Sequence, residues 1–159
     1  TAFFASRVIS AFEGTIERVA ALAALMPIVA GIAGNSGNQT MALIIRSIAL
    51  GQVTMSNARR LLLKELAIAA LNGLVWGGMA GVVAWLLYRD TPHGVLLGLT
   101  MTMAMVLNLL VGALIALAVP MALERLGRDP AIGSSVLLTF STDSMGFFIF
   151  LGLATLFFT

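Results

Sequence analysis

The chain has 159 residues, 60% of them hydrophobic and 10% charged, where soluble domains average roughly 45–50% apolar and about 25% charged. With a mean hydropathy of +1.04, this composition belongs to a membrane-embedded chain and excludes a soluble enzyme, a disordered linker or a nucleic-acid reader. The net charge is only +2, Cys is absent and His occurs once, which removes disulfides and thiolate metal sites and leaves little for His-rich zinc sites or Ser-His-Asp catalysis.

Residues 1–12 are apolar apart from Arg7, and a spanning helix needs roughly 17–25 residues. The segment is expected to be the second half of a span that starts upstream; the alternative is an interfacial piece. Glu13 and Glu17 follow, one helical turn apart, placed either to attract cations to an outer mouth or to pair with Arg18. Residues 19–45 form the next hydrophobic run, interrupted by Pro27, several Gly and the polar stretch Gly34-Asn35-Ser36-Gly37-Asn38-Gln39-Thr40. This interruption predicts a helix that is broken or unwound at membrane depth, where irregular backbone must be buried or line a wet cavity.

A connection carrying Arg46, Arg59, Arg60 and Lys64 leads to an uncharged run over residues 66–88. The link Arg89-Asp90-Thr-Pro-His93 is expected to be an external loop with His93 as a solvated turn residue. Residues 94–123 form another uncharged run, long enough to cross with tilt. Met101, Met103 and Met105, spaced by two, scatter around a helix axis and read as packing residues. Asn72 and Asn108 read as interhelical hydrogen-bonding groups. After Arg125 and Arg128, residues 130–159 are uncharged except for Asp143. The expected architecture is an all-α membrane protein, one domain of five transmembrane helices with the first truncated. Basic residues mark cytoplasmic loops, which places the two basic connections inside the cell, the C-terminus outside, and the chain as a multi-pass protein of the cell (inner) membrane.

Asp143 is the most informative residue. A charged carboxylate at mid-span costs roughly 2.5–3.5 kcal/mol on insertion scales, so it needs a partner charge, a wet cavity or an ion. No Lys or Arg lies near mid-span in the other runs, and Arg46 belongs toward the cytoplasmic end. Ser135, Thr139, Thr142 and Gly146 recur at steps of four, three and four, and with Asp143 they form a small, polar stripe. That stripe suits a pore lining or a close helix contact, and a pore between close helices would use both. In the Gly/Asn stretch, freed carbonyls and the amides of Asn35, Asn38 and Gln39 are hard oxygen ligands suited to Mg²⁺ or its waters; the alternative is a polar loop lying at the membrane interface.

At these motifs the sequence resembles the membrane domain of MgtE-type magnesium channels or transporters. The residues that carry the resemblance are Met26-Pro-Ile-Val-Ala-Gly-Ile-Ala-Gly-Asn-Ser-Gly-Asn-Gln-Thr40 with Ile44-Ile-Arg-Ser-Ile-Ala-Leu-Gly51, Asn108-Leu-Leu-Val-Gly112 with Pro120, and Asp129-Pro-Ala131 followed by Thr139 and Thr142-Asp143. The resemblance implies a homodimer with five helices per subunit and a pore near the two-fold axis. It further implies Mg²⁺ bound by Asp143 of each subunit, largely through the ion's waters, with backbone oxygens near Gly34, Gly37 and Thr139 contributing. Some relatives carry Asn where Ser135 stands, and the family's cytoplasmic regulatory domains are absent from this chain. The charge balance agrees: one Asp leaves a divalent ion half neutralised, whereas two related by a dimer axis match it.

The function expected is a Mg²⁺-selective channel or facilitator moving hydrated divalent cations down their electrochemical gradient, with no enzymatic activity. Mn²⁺, Co²⁺ or Ca²⁺ could substitute for the cargo. Two alternatives remain: a proton- or sodium-coupled antiporter with Asp143 as the exchanging carboxylate, and an assembly subunit whose Asp143 pairs with a cation of another membrane protein. The expected partners are a second copy, the bilayer and divalent cations, with no nucleic acid.

Overall fold

Six helices account for nearly all of the backbone in the computed structural model, which describes residues 1–158; the side chains of Arg18 and Met55 are not described. In order they are α1 (Ala2–Ala11), α2 (Glu13–Arg18), α3 (Ala21–Ala49), α4 (Met55–Leu87), α5 (Gly94–Arg125) and α6 (Ser134–Phe158). Helices α4, α5 and α6 are long and apolar enough to cross a membrane. Helix α3, at 29 residues, has the length, but its polar stretch dilutes its hydropathy. The ten-residue α1 is too short to cross alone, as expected, and it lies against α6.

The expected break in α3 does not occur. The helix is continuous through Pro27 and the Gly/Asn stretch. Local propensity is outweighed here by packing, which supplies most helical stability in proteins. Gly34 and Gly37 are buried against α6: a Cβ at Gly34 would meet Thr142 Oγ1 at 3.3 Å, and one at Gly37 would meet Leu138 at 3.1 Å. The Asn38 side chain also turns back, its Nδ2 donating to the Gly34 carbonyl at 2.9 Å. The small residues that looked like helix breakers are the surface that lets α6 and α5 approach.

The connection between α3 and α4 is also shorter than expected. Arg46 belongs to α3, while Arg59, Arg60 and Lys64 lie on the first turns of α4. Arg, Leu, Lys, Glu and Ala are strong helix formers, and Asn57 Oδ1 accepts the Thr54 N–H at 2.9 Å to cap the start. At 33 residues α4 is about 50 Å long against a hydrocarbon core of about 30 Å, so its charged turns project past the apolar zone. Both α3 and α5 end in a Schellman motif, with Gly51 at φ +68° and Gly127 at φ +66°. There the N–H groups of Gln52 and Arg128 donate to the carbonyls of Ser47 and Leu123, both at 2.9 Å, so each helix stops where only glycine adopts the left-handed turn freely.

Two core clusters define the two ends of the bundle. One joins Ile44 and Ile48 of α3 to Leu61 and Leu62 of α4 and to Leu117 and Met121 of α5. The other joins Leu22 and Met26 of α3, Ala84 of α4, Leu97 and Met101 of α5, and Phe150 and Ala154 of α6. Both basic connections therefore share the first end. His93 belongs to the opposite end and is not simply a solvated turn residue. It is half-buried at the start of α5, its ring edge-on to Phe158 with centroids 5.2 Å apart. Met101 and Met105 are core residues and Met103 is exposed, as the spacing of two requires.

The tightest crossing lies between α4 and α5. A Cβ at Gly81 would fall 2.6 Å from the Gly98 carbonyl oxygen, and one at Gly98 would fall 2.7 Å from that of Gly81. Backbone cannot yield as a side chain does, so Gly81→Ala is expected to cost about 1–3 kcal/mol by overpacking, seen as earlier thermal unfolding in detergent. Gly78→Ala, where a Cβ meets nothing within 4 Å, serves as the control and should shift stability by less than about 0.5 kcal/mol.

Candidate ion site on helices three and six

Helix α6 begins where the Asp129-Pro-Ala131 turn folds on itself. Asp129 Oδ1 accepts the Ala131 N–H at 2.9 Å, and the buried Ser134 hydroxyl donates to the Pro130 carbonyl. This gives that motif a local role: it starts α6 in a set direction. From there the buried positions Ser134, Leu138, Thr142, Gly146 and Phe150 repeat every four residues and form the face that packs on α3 and α5.

Asp143 stands one residue off that face. It is half-buried at the middle of α6, and among the described residues no basic side chain lies within ion-pair distance of it. Arg46, the nearest cation by sequence reading, is exposed at the end of α3. Half-buried Thr139 lies one turn below Asp143.

The turn that carries Asp143 is held by Asn108. This residue is fully buried at the middle of α5, and its Nδ2 donates to the Val29 carbonyl of α3 at 3.2 Å and to the Thr142 carbonyl of α6 at 3.0 Å. Gly146 makes room for that amide, because a Cβ there would collide with Asn108 Nδ2. One side chain thus ties three helices together beside the carboxylate. Asn108 was legible as an interhelical hydrogen-bonding residue; its position next to Asp143 was not, since 35 positions separate them. Asn72 is half-buried on α4 and makes no such bridge among the described residues.

A second polar contact joins α3 and α6 nearer the basic end. Ser135 Oγ donates to Asn38 Oδ1 at 2.7 Å, so Asn38 is held from both sides. The other candidates divide by burial. Gly34, Gly37, Thr142 and Gly146 are buried in the helix contact, whereas Asn35, Gln39 and Ser135 are exposed and Asn38 is partly so. The stripe on α6 therefore splits: Thr142 and Gly146 serve the close contact with α3 and α5, while Ser135, Thr139 and Asp143 keep accessible surface. Thr142 Oγ1 is committed to its own helix, 3.1 Å from the Leu138 carbonyl. Because α3 is regular here, few of its carbonyls are free, and the oxygen donors on offer are the Asn and Gln amides, the hydroxyls and the Asp143 carboxylate. Glu13 and Glu17 are exposed on α2 at the opposite end; pairing with Arg18 falls on a side chain outside those described. Among the described residues no group of three His, Cys, Asp or Glu converges to hold a metal.

An all-helical membrane protein with a half-buried carboxylate at mid-helix, beside the Asn108 bridge and with no basic partner among the described residues, is the class that this fold and site define. Residues 26–153 match MgtE, a family described as a divalent cation transporter, and the chain belongs to that family. It is 35% identical over 160 residues to the magnesium transporter MgtE of Thermus thermophilus (98% of this chain, 34% of the relative). Over 150 residues it is 31% identical to that of Bacillus subtilis (94% and 32%), and over 149 residues 32% identical to that of Enterococcus faecalis (94% and 32%). The chain spans about a third of the length of these curated relatives.

Proposed function

We propose that this chain is the membrane-spanning, ion-conducting part of a Mg²⁺ transport protein without enzymatic activity. It works as a homodimer, with a hydrated divalent ion held between the Asp143 carboxylates of the two subunits. Helix α3 crosses the membrane alongside α4, α5 and α6, and α1 is part of a fifth span. The basic end of the bundle faces the cytoplasm. The single observation that carries this reading is a half-buried carboxylate at mid-helix with no cation beside it among the described residues.

The chemistry follows from the ion. Mg²⁺ sheds water reluctantly and is usually held by one or two carboxylates with several waters retained. Two Asp143 carboxylates match its charge, and the exposed or partly exposed donors Asn35, Asn38, Gln39, Ser135 and Thr139 can receive hydrogen bonds from its waters as it passes. Contact through water keeps the ion releasable, which conduction requires. Moving two charges through 100 mV yields roughly 4.6 kcal/mol at about 2.3 per charge, enough to drive uptake without ATP. Related divalent ions that keep their water shells should compete.

The regular α3 removes one argument against a purely assembling role, since no unwound backbone is present to demand a pore; membership in a transporter family argues against it instead. An exchanging carboxylate in a proton- or sodium-coupled antiporter would also be unpaired, so flux must decide. Purified protein in liposomes at a clamped voltage should keep its Mg²⁺ flux when the pH or Na⁺ gradient is collapsed. Loss of flux under that condition selects the coupled mechanism. Anomalous scattering from Mn²⁺-soaked crystals should place density between two Asp143 carboxylates, and density elsewhere in the dimer would overturn the site.

A further inference from the structure

A cleft of about 530 Å³ opens beside the turn that joins α3 to α4, lined by Ser47 of α3, Gln52 of the turn, and Asn57, Arg60, Leu61 and Lys64 of α4. Arg60 and Lys64 stand one helical turn apart on one face of α4, where two like charges repel, and no acidic side chain lines the cleft. Among the described residues neither cation has an ion-pair or hydrogen-bond partner. Asn57 is committed to the turn itself: its Oδ1 accepts the Thr54 N–H at 2.9 Å and its Nδ2 donates to the Gln52 carbonyl at 2.7 Å. The half-buried Ser47 hydroxyl and the exposed Gln52 side-chain amide are neutral donors with no other side-chain partner among the described residues.

Depth and continuity decide what fits. Lys64 lies two residues, and Arg60 six residues or about 9 Å, before the uncharged run that starts at Leu66. Ser47 lies two residues past the hydrophobic run that ends at Ile45. The cleft therefore sits at headgroup level where α3 and α4 leave the bilayer. One turn into the hydrocarbon, the helix faces that carry these residues become apolar and stay exposed: Leu43 lies four residues before Ser47, and Ile68 and Leu71 lie four and seven after Lys64. Helices α3 and α4 each pack along α5 rather than along each other, so no close contact between them seals the space above the cleft. Two cations with a hydroxyl and an amide beside them match the oxygens of a phosphate. A free phosphate would answer the charge and leave Leu43, Ile68 and Leu71 uncovered, whereas a phospholipid meets both parts. A zwitterionic head fits less well, because it brings its own cation to Arg60 and Lys64. Basic pockets between transmembrane helices recognise anionic headgroups by this chemistry.

We propose that the cleft at the α3–α4 turn binds one anionic phospholipid, its phosphate held by Arg60 and Lys64 and an acyl chain lying along Leu43, Ile68 and Leu71. The proposal does not depend on the ion site. It is tested by native mass spectrometry of the purified protein released from detergent after titration with phosphatidylglycerol or phosphatidylcholine. Phosphatidylglycerol should stay bound at one molecule per subunit while phosphatidylcholine is lost. The double substitution Arg60→Gln/Lys64→Gln should weaken phosphatidylglycerol retention about 25-fold, from about one decade per 1.4 kcal/mol and about 1 kcal/mol per basic residue, at an unchanged unfolding temperature. Arg60→Lys, which keeps the charge, should retain most of the binding. Arg59→Gln removes a neighbouring charge that does not line this cleft and should weaken retention far less than the double variant. Millimolar inorganic phosphate should leave the lipid in place. Equal retention of the two lipids or a double Gln variant that still binds phosphatidylglycerol would overturn the proposal. So would a loss in Arg59→Gln as large as in the double variant, which would make general surface charge the cause, or displacement by inorganic phosphate, which would make a free phosphate the ligand.

Discussion

Asp143→Asn should lower Mg²⁺ flux into liposomes about a hundredfold while leaving the protein folded and dimeric. The substitution keeps shape and hydrogen-bonding capacity but removes one negative charge per subunit. Two charge-assisted contacts at about 1.5 kcal/mol each amount to about 3 kcal/mol, or roughly two decades. The stability readout has the opposite sign, which separates a lost site from a lost fold. In the proposed dimer without metal, the two Asp143 carboxylates would repel each other and be poorly solvated. Metal-free Asp143→Asn should therefore unfold at the same or a higher temperature than the parent. Adding Mg²⁺ should raise the unfolding temperature of the parent and leave the variant unchanged. Normal flux in Asp143→Asn, or an undiminished Mg²⁺ stabilisation, would remove the ion site from α6.

Gly146→Ala is the second substitution with a large expected effect, because it acts on the support of that carboxylate. A Cβ at 146 collides with Asn108 Nδ2 and comes within 3.4 Å of Ala30 Cα. Asn108 is fully buried and bridges Val29 and Thr142, so its amide cannot swing away without giving up both contacts. Overpacking of this kind costs about 1–3 kcal/mol, and the turn bearing Asp143 should shift with it. We expect lower thermal stability together with flux reduced about tenfold. Asn108→Ala alone should also destabilise, by about 1–3 kcal/mol, since it removes a buried polar bridge. In the double variant the added methyl occupies space that the amide has vacated, so the combined loss should fall short of the sum by at least about 0.5 kcal/mol. Strict additivity in this cycle would show that Gly146 and Asn108 do not share the contact.

The features legible in the sequence were those that depend on composition along the chain. Uncharged runs marked α4, α5 and α6, a single acid stood out inside the last of them, and the motif around residues 26–40 pointed to the family to which the chain belongs. The helix boundaries were less legible. Charged residues 59, 60 and 64 were assigned to a connection because they cannot sit in hydrocarbon, yet a helix that projects into water carries them without penalty. Glycine and asparagine in residues 34–38 signalled a break because their intrinsic propensity is low, and propensity knows nothing of the helix packed alongside.

Composition and charge by themselves determined that this chain lives in a bilayer as helices and that position 143 needs an explanation, because transfer from water to lipid is priced residue by residue. Only the tertiary structure decided that α3 stays whole, that Thr142 and Gly146 belong to a helix contact, and that Asn108 braces the turn beside Asp143. Those outcomes depend on which backbones come within a few ångströms of each other, and distance across three helices is not written in the order of residues along any one of them.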